Sequence, residues 1–250
     1  LNIRVFDTAI EAGLYAASLT ERVVEENPRA VLGLATGSTA VPFYRALVGL
    51  GQCGLDLSSV VTINLDEYIG LPPSHVQSYH CFMNDHLFSH IHISPENIYI
   101  PNGTVEDLER ECNRYDEIIR ENPIDFQILG IGVNGHIGFN EPDDLLVSRT
   151  HVVDLSPETI CSNSRFFNTI DEVPRRAITM GVQAILQAKK IVLMAFGKEK
   201  EDIIGKAVHG VVRTDMPASI LQLHRDVTFV LDRESAAGLN YDSYVMEVVR

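Results

Sequence analysis

Tryptophan is absent from this chain, and aromatic side chains make up only 7% of it. That leaves few flat faces on which unpaired bases could stack, the usual platform for single-stranded nucleic acid. Positive charge is scarce too: 20 Lys and Arg stand against 34 Asp and Glu, a net charge of -14. A field of that sign repels nucleic acid and anionic membrane surfaces. An anionic substrate would need a local cluster of cations working against it. Cysteine is limited to Cys53, Cys81, Cys112 and Cys161, with no CxxC pair and no zinc-type spacing. Four scattered thiols suit a reducing cytosol better than a disulfide scaffold. No apolar run approaches the roughly 20 residues of a membrane helix. The opening LNIRVFDTAIEAG lacks the basic and apolar regions of a signal peptide. A cytoplasmic protein with no membrane and no nucleic-acid partner is therefore expected. Repeats, low-complexity segments and Gly/Ser linkers are also missing, so residues 1–250 are read as a single domain.

What is present is an alternation of short apolar runs with amphipathic stretches. Residues 30–35 (AVLGLA), 60–65 (VVTINL), 125–129, 190–196 (KIVLMAF) and 227–231 (VTFVL) read as buried strands. Residues 7–26, 42–50, 79–89, 105–122, 173–187 and 199–209 have helical spacing, with Asp7 or Thr8 able to cap the first. Strands alternating with helices indicate an α/β fold whose mostly parallel central sheet is covered on both faces. Ligands of such sheets sit beyond the carboxyl ends of the strands. Four strand ends carry polar residues here: 36–39, 66–68, 134–141 and 197–200.

The richest of these is LGIGVNGHIGFNEP, residues 129–142. Its glycines allow a backbone to approach a ligand, and His136 and Glu141 are the side-chain types that move protons near neutral pH. The segment 130–135 matches GxGxxG, but Gly138 and Pro142 interrupt the helix that a dinucleotide site requires. No nucleotide cofactor is expected. Thr36-Gly37-Ser38-Thr39 offers backbone N–H groups and hydroxyls before a helix: either a phosphate cradle or an ordinary strand–helix turn. Arg165 and Lys200 are phosphate partners or solvated surface cations. Asp66, after a strand, either takes a proton from carbon or caps a turn. His75, His80, His86, His90 and His92 form no HExxH, so no metal site is expected and they read as satisfied or solvent-facing.

Three segments in this order, LATGST at 34–39, LDEYIGL at 65–71 and GIGVNGHIGFNEP at 130–142, resemble the glucosamine-6-phosphate deaminase family. SRFF at 164–167 and the region of Lys200 extend the likeness over nearly the whole chain. The resemblance implies a Rossmann-like three-layer αβα sandwich. It also implies a reaction without metal or nucleotide, in which glucosamine 6-phosphate and water give fructose 6-phosphate and ammonia. His136 would open the pyranose ring, oriented by Asn134 and Glu141. Asp66 would carry the proton from C2 to C1, an aldose–ketose isomerisation followed by ketimine hydrolysis. Gly37, Ser38, Thr39, Arg165 and Lys200 would bind the substrate phosphate, with Arg165 on a lid spanning about residues 155–174.

Two alternatives accompany that reading. The same superfamily includes 6-phosphogluconolactonases, whose loop resembles GDGHxASLFP where this chain has NGHIGFNEP. Related folds also serve as non-catalytic sugar-phosphate sensors, which would not need the proton-transfer residues. Within the deaminases, members with Asp at the position of Asn134 are hexamers activated by N-acetylglucosamine 6-phosphate through basic residues after NEP. This chain has His151 and Val153 there, so weak or absent activation is expected. Little chain follows the last strand, which fits a monomer and leaves a homo-oligomer open.

Overall fold

The computed structural model describes residues 1–239 and 245–248. The chain runs β1 (Asn2–Phe6), α1 (Ala9–Glu26), β2 (Val31–Leu34), α2 (Val41–Gln52), β3 (Val61–Asn64), β4 (Asp66–Tyr68), α3 (Tyr79–His86), β5 (Ile98–Tyr99) and α4 (Leu108–Glu121). It continues with β6 (Phe126–Leu129), β7 (His151–Asp154), α5 (Pro157–Asn163), β8 (Arg176–Thr179), α6 (Val182–Gln187), β9 (Lys190–Ala195), α7 (Glu201–His209), β10 (Val227–Asp232) and β11 (Val245–Val248).

Eight strands make one sheet in the order β11-β1-β10-β9-β6-β2-β3-β5, and every pairing within it is parallel. Strands β2, β3 and β6 are buried at every position, as expected for a parallel sheet with both faces covered. The order fixes where a ligand can enter. From β2 the chain steps outward through β3 to β5. From β6 it steps the other way, through β9 to β10. Right-handed crossovers in opposite directions place their helices on opposite faces, which leaves a crevice between β2 and β6. The small buried residues Ala12, Gly13, Ala16 and Ala17 let α1 lie close against α2 on one of those faces.

A second, three-stranded sheet, β4-β8-β7, is antiparallel. It was not expected, and it overturns the helix read over residues 173–187. Only Val182–Gln187 is helical there. Arg176–Thr179 is a strand with its last three residues buried between β4 and β7. Helical spacing in that stretch is outweighed by pairing to strands far away in sequence. Residues 2–6, to which the sequence pattern assigns no element, form β1 between β10 and β11, and residues 66–68, read as the polar end of the preceding strand, form a strand of their own. Burial within the parallel sheet and pairing across to β8 decide those two cases.

Candidate active site

The carboxyl ends of β2, β3, β6 and β9 converge on one cavity of about 430 Å³. From β2 come Thr36, Gly37, Ser38 and Thr39, and β3 runs through Leu65 into Asp66. The loop after β6 supplies residues from Gly130 to Phe139, and Lys200 follows β9 at the start of α7. Arg165 and Phe166 line it from the turn after α5. The crevice between β2 and β6 thus holds the groups that the strand ends promised.

Asp66 enters from the second sheet. It pairs with Thr179 across β4 and β8, and the Thr179 hydroxyl accepts a hydrogen bond from the N–H of Phe139 at 3.0 Å. One threonine therefore ties the Asp66 strand to the histidine loop. Gly138, at φ +57, completes the junction: a Cβ there would lie 3.1 Å from Thr179 Oγ1 and 3.5 Å from Asp66 Oδ2. Asp66 is buried, and burial followed by the neighbouring Glu67 charge pushes its carboxyl up to about 8. A carboxylate with raised pKa is a base strong enough to work on a carbon acid.

His136 lines the cavity and belongs to a small polar network. Its Nδ1 is 3.4 Å from Glu141 Oε2 and 3.3 Å from Thr159 Oγ1. Glu141 also accepts from Thr159 Oγ1 at 2.5 Å and from Asn134 Nδ2 at 2.7 Å. Asn134 Oδ1 accepts the His136 N–H at 3.2 Å. Burial works to raise the Glu141 carboxyl, but His136 and the donors from Thr159 and Asn134 outweigh it and hold the pKa at about 2. An ionised Glu141 beside Nδ1 favours a proton on that nitrogen and leaves Nε2 as the basic one. Gly132 makes room for the ring, since a Cβ there would come within 2.3 Å of it. Asn134 and Glu141 stand behind His136 and do not line the cavity.

The cationic end is built from Lys200 and Arg165. Lys200 Nζ donates to Ile131 O at 2.7 Å, and burial, opposed by Glu199 and helped by Arg165, pulls its pKa down. The Arg165 guanidinium lies 4.7 Å over the Phe166 ring. With the backbone turn at Gly37 and the hydroxyls of Ser38 and Thr39, these cations can take a dianionic phosphate. Tyr68, Tyr79 and Phe139 pack as an aromatic cluster on the side nearest Asp66, with ring centroids 4.8 to 6.1 Å apart. Among the described residues, no group of three or more His, Cys, Asp or Glu is placed to hold a metal ion.

Residues 7–230 match the family model described as glucosamine-6-phosphate isomerases/6-phosphogluconolactonase. The chain belongs to this family. It is 53% identical, over 89% of its length and 88% of the relative's, to glucosamine-6-phosphate deaminase of Thermoanaerobacter sp. (strain X514). It is 49% identical to the deaminase of Clostridium novyi (strain NT), over 96% of this chain and 100% of that one. A solved monomeric glucosamine-6-phosphate deaminase superposes with a TM-score of 0.93 at 46% identity, covering 96% of this chain and 100% of that chain. The 6-phosphogluconolactonase from Trypanosoma cruzi shares the fold at a TM-score of 0.77, with 20% identity.

Within this family fold, Gly37, Ser38, Thr39, Asp66, His136, Arg165 and Lys200 line the cavity, and Asn134 and Glu141 join the His136 network. Several participants were not singled out. Thr159 and Ser156 join the His136 network from α5, where Ser156 caps the helix by accepting from Thr159 N. Asn163 donates to the Tyr68 hydroxyl at 2.8 Å. Ser156-Pro157 is a readable helix start, but nothing local aims Thr159 at Glu141. Tyr79 lines the cavity beside Asp66, and its only advance signal was proximity to the helix start.

Proposed function

We propose that this protein converts glucosamine 6-phosphate and water to fructose 6-phosphate and ammonia. The observation that carries this reading is one buried carboxylate of raised basicity, Asp66, lining the same cavity as His136, which is backed by Glu141. Sugar-phosphate lactone hydrolysis needs a single base to activate water. Two separate proton stations suit a reaction that opens a ring and then moves a proton between carbons.

In this reading the phosphate is held by Ser38, Thr39, Arg165, Lys200 and the backbone at Gly37, and the sugar lies toward Asp66. His136, with Nδ1 held by Glu141, moves the proton that accompanies opening of the C1–O5 bond. Asp66 takes the proton from C2 of the open chain as O1 gains one, giving an enolamine. Returning that proton to C1 gives the ketimine at C2, and water then releases ammonia and leaves the ketone. The phosphate end supplies binding energy that positions C1 and C2 against Asp66. The chain acts as a monomer and as one domain, in keeping with its monomeric 46% identical relative.

Asp66→Asn tests the assignment. Ammonia release falls by about 10²–10⁴-fold or more, while binding of the substrate, followed calorimetrically, is retained. Wild-type turnover in that variant would remove Asp66 from the mechanism.

A further inference from the structure

Glu67 lies on the back of the strand that carries Asp66. Alternation along β4 sends Asp66 and Tyr68 to one side and Glu67 to the other, and Glu67 is absent from the cavity lining. It is nonetheless 1% exposed. A buried carboxylate is costly unless its oxygens are fully occupied, and these are. Oε1 accepts the N–H groups of Tyr68 at 2.8 Å and Tyr79 at 3.0 Å. Oε2 accepts the His80 N–H at 3.1 Å and faces His80 Nδ1 at 2.8 Å.

Three of those contacts converge on the start of α3. Tyr79 and His80 are its first two residues, and Ser78 Oγ takes the next N–H, from Cys81 at 3.0 Å. Glu67 and Ser78 together satisfy the donors that a helix start leaves open. A carboxylate there is also favoured by the partial positive charge of the helix end. Tyr79 is thereby fixed, and its ring enters the cavity beside Tyr68 and Phe139.

We propose that Glu67 is a positioning residue for the proton transfer at Asp66: it anchors α3 and Tyr79 against the cavity, and together with His80 it sets the charge that Asp66 feels from behind its own strand. The proposal rests on the reading of Asp66 as the base. The titratable groups around Asp66 are the phenols of Tyr44 on α2, Tyr68 on β4, Tyr79 on α3 and Tyr115 on α4. Burial keeps all four protonated, so they carry no charge at working pH. His136 lines the same cavity. Glu67 is the charged neighbour that raises Asp66 from the other side of the strand, and the titratable group facing Glu67 itself is His80 on α3. The His80 side chain is 31% exposed and meets that carboxylate through Nδ1 at 2.8 Å.

The test is the acid limb of kcat/KM for wild type, Glu67→Gln and His80→Ala. Removing the Glu67 charge moves the limb down by about one pH unit. Removing the His80 partner leaves Glu67 less compensated and moves the limb up. Loosened packing alone would lower turnover at all pH values and would not split the two variants in opposite directions. Limbs that coincide with wild type, or that shift the same way in both variants, overturn the proposal. If Glu67→Gln does not fold, His80→Ala decides: a limb that fails to rise overturns it. Asp66→Asn separates the two levels, since full activity there sinks the base assignment. An inactive Asp66→Asn with unmoved limbs in the other variants sinks the role of Glu67 alone.

Discussion

Glu141 and Asp66 are both shielded carboxyl groups in one protein, yet their acidities are driven in opposite directions. Glu141 collects donors from Thr159 and Asn134 and a histidine partner, and it is held at about 2. Asp66 has burial and a neighbouring negative charge, and it is pushed to about 8. Groups whose surroundings drive their pKa values apart are assigned different tasks by those surroundings. In the proposed reaction the ionised group orients an imidazole, and the basic group faces carbon. Both residues stood out in the chain because polar side chains at strand ends are exceptions to an apolar pattern. Their pKa values did not, since the Thr159 donor to Glu141 and the burial of Asp66 arise only in three dimensions. At the phosphate end, Lys200→Met removes one charged contact of the kind that contributes about 1.5–3 kcal/mol. The expected result is a drop in kcat/KM of about 10- to 100-fold, accompanied by weaker competitive inhibition by inorganic phosphate. Unchanged inhibition would place the phosphate elsewhere.

The elements differ in how plainly they announce themselves. β2, β3, β6, β9 and β10 are apolar runs with no competing pattern, and burial on both faces makes them so. β4, β7 and β8 are three or four residues each and gain their identity only from one another. Asp66 pairs with Thr179 more than 100 positions away, so no local window contains the reason for that strand. The same holds for Glu67, whose partners on α3 are 12 and 13 residues distant. Helix α1 is the opposite case. Thr8 accepts from Glu11 N at 3.2 Å while Glu11 accepts from Thr8 N at 2.9 Å, a capping box written within four residues. Thr8→Ala should cost about 1 kcal/mol and lower the Tm by about 2–4 °C. Its kcat should match wild type, because the cap is remote from the cavity. A loss of turnover at unchanged Tm would show that α1 contributes to the site.

At the scale of the whole molecule, a net charge of -14 surrounds a cavity that must admit a phosphate dianion. Lys200, Arg165 and the backbone at Gly37 provide the local reversal of sign, and the switch in strand order between β2 and β6 provides the place for it. Beside β7, Arg149 and Arg176 line a second cavity with His151, but each guanidinium is paired with a carboxylate, Asp116 and Asp154 respectively. Val153 is apolar, and burial pulls the His151 pKa down, so the strand offers no cation to an activator phosphate near neutral pH. Saturation curves for glucosamine 6-phosphate should therefore superimpose with and without N-acetylglucosamine 6-phosphate, and a sharpened curve in its presence would refute that. Purified protein given glucosamine 6-phosphate should release ammonia and fructose 6-phosphate in equal amounts, followed by coupled detection of both products. Hydrolysis of 6-phosphogluconolactone with neither product formed from the amino sugar would contradict the account.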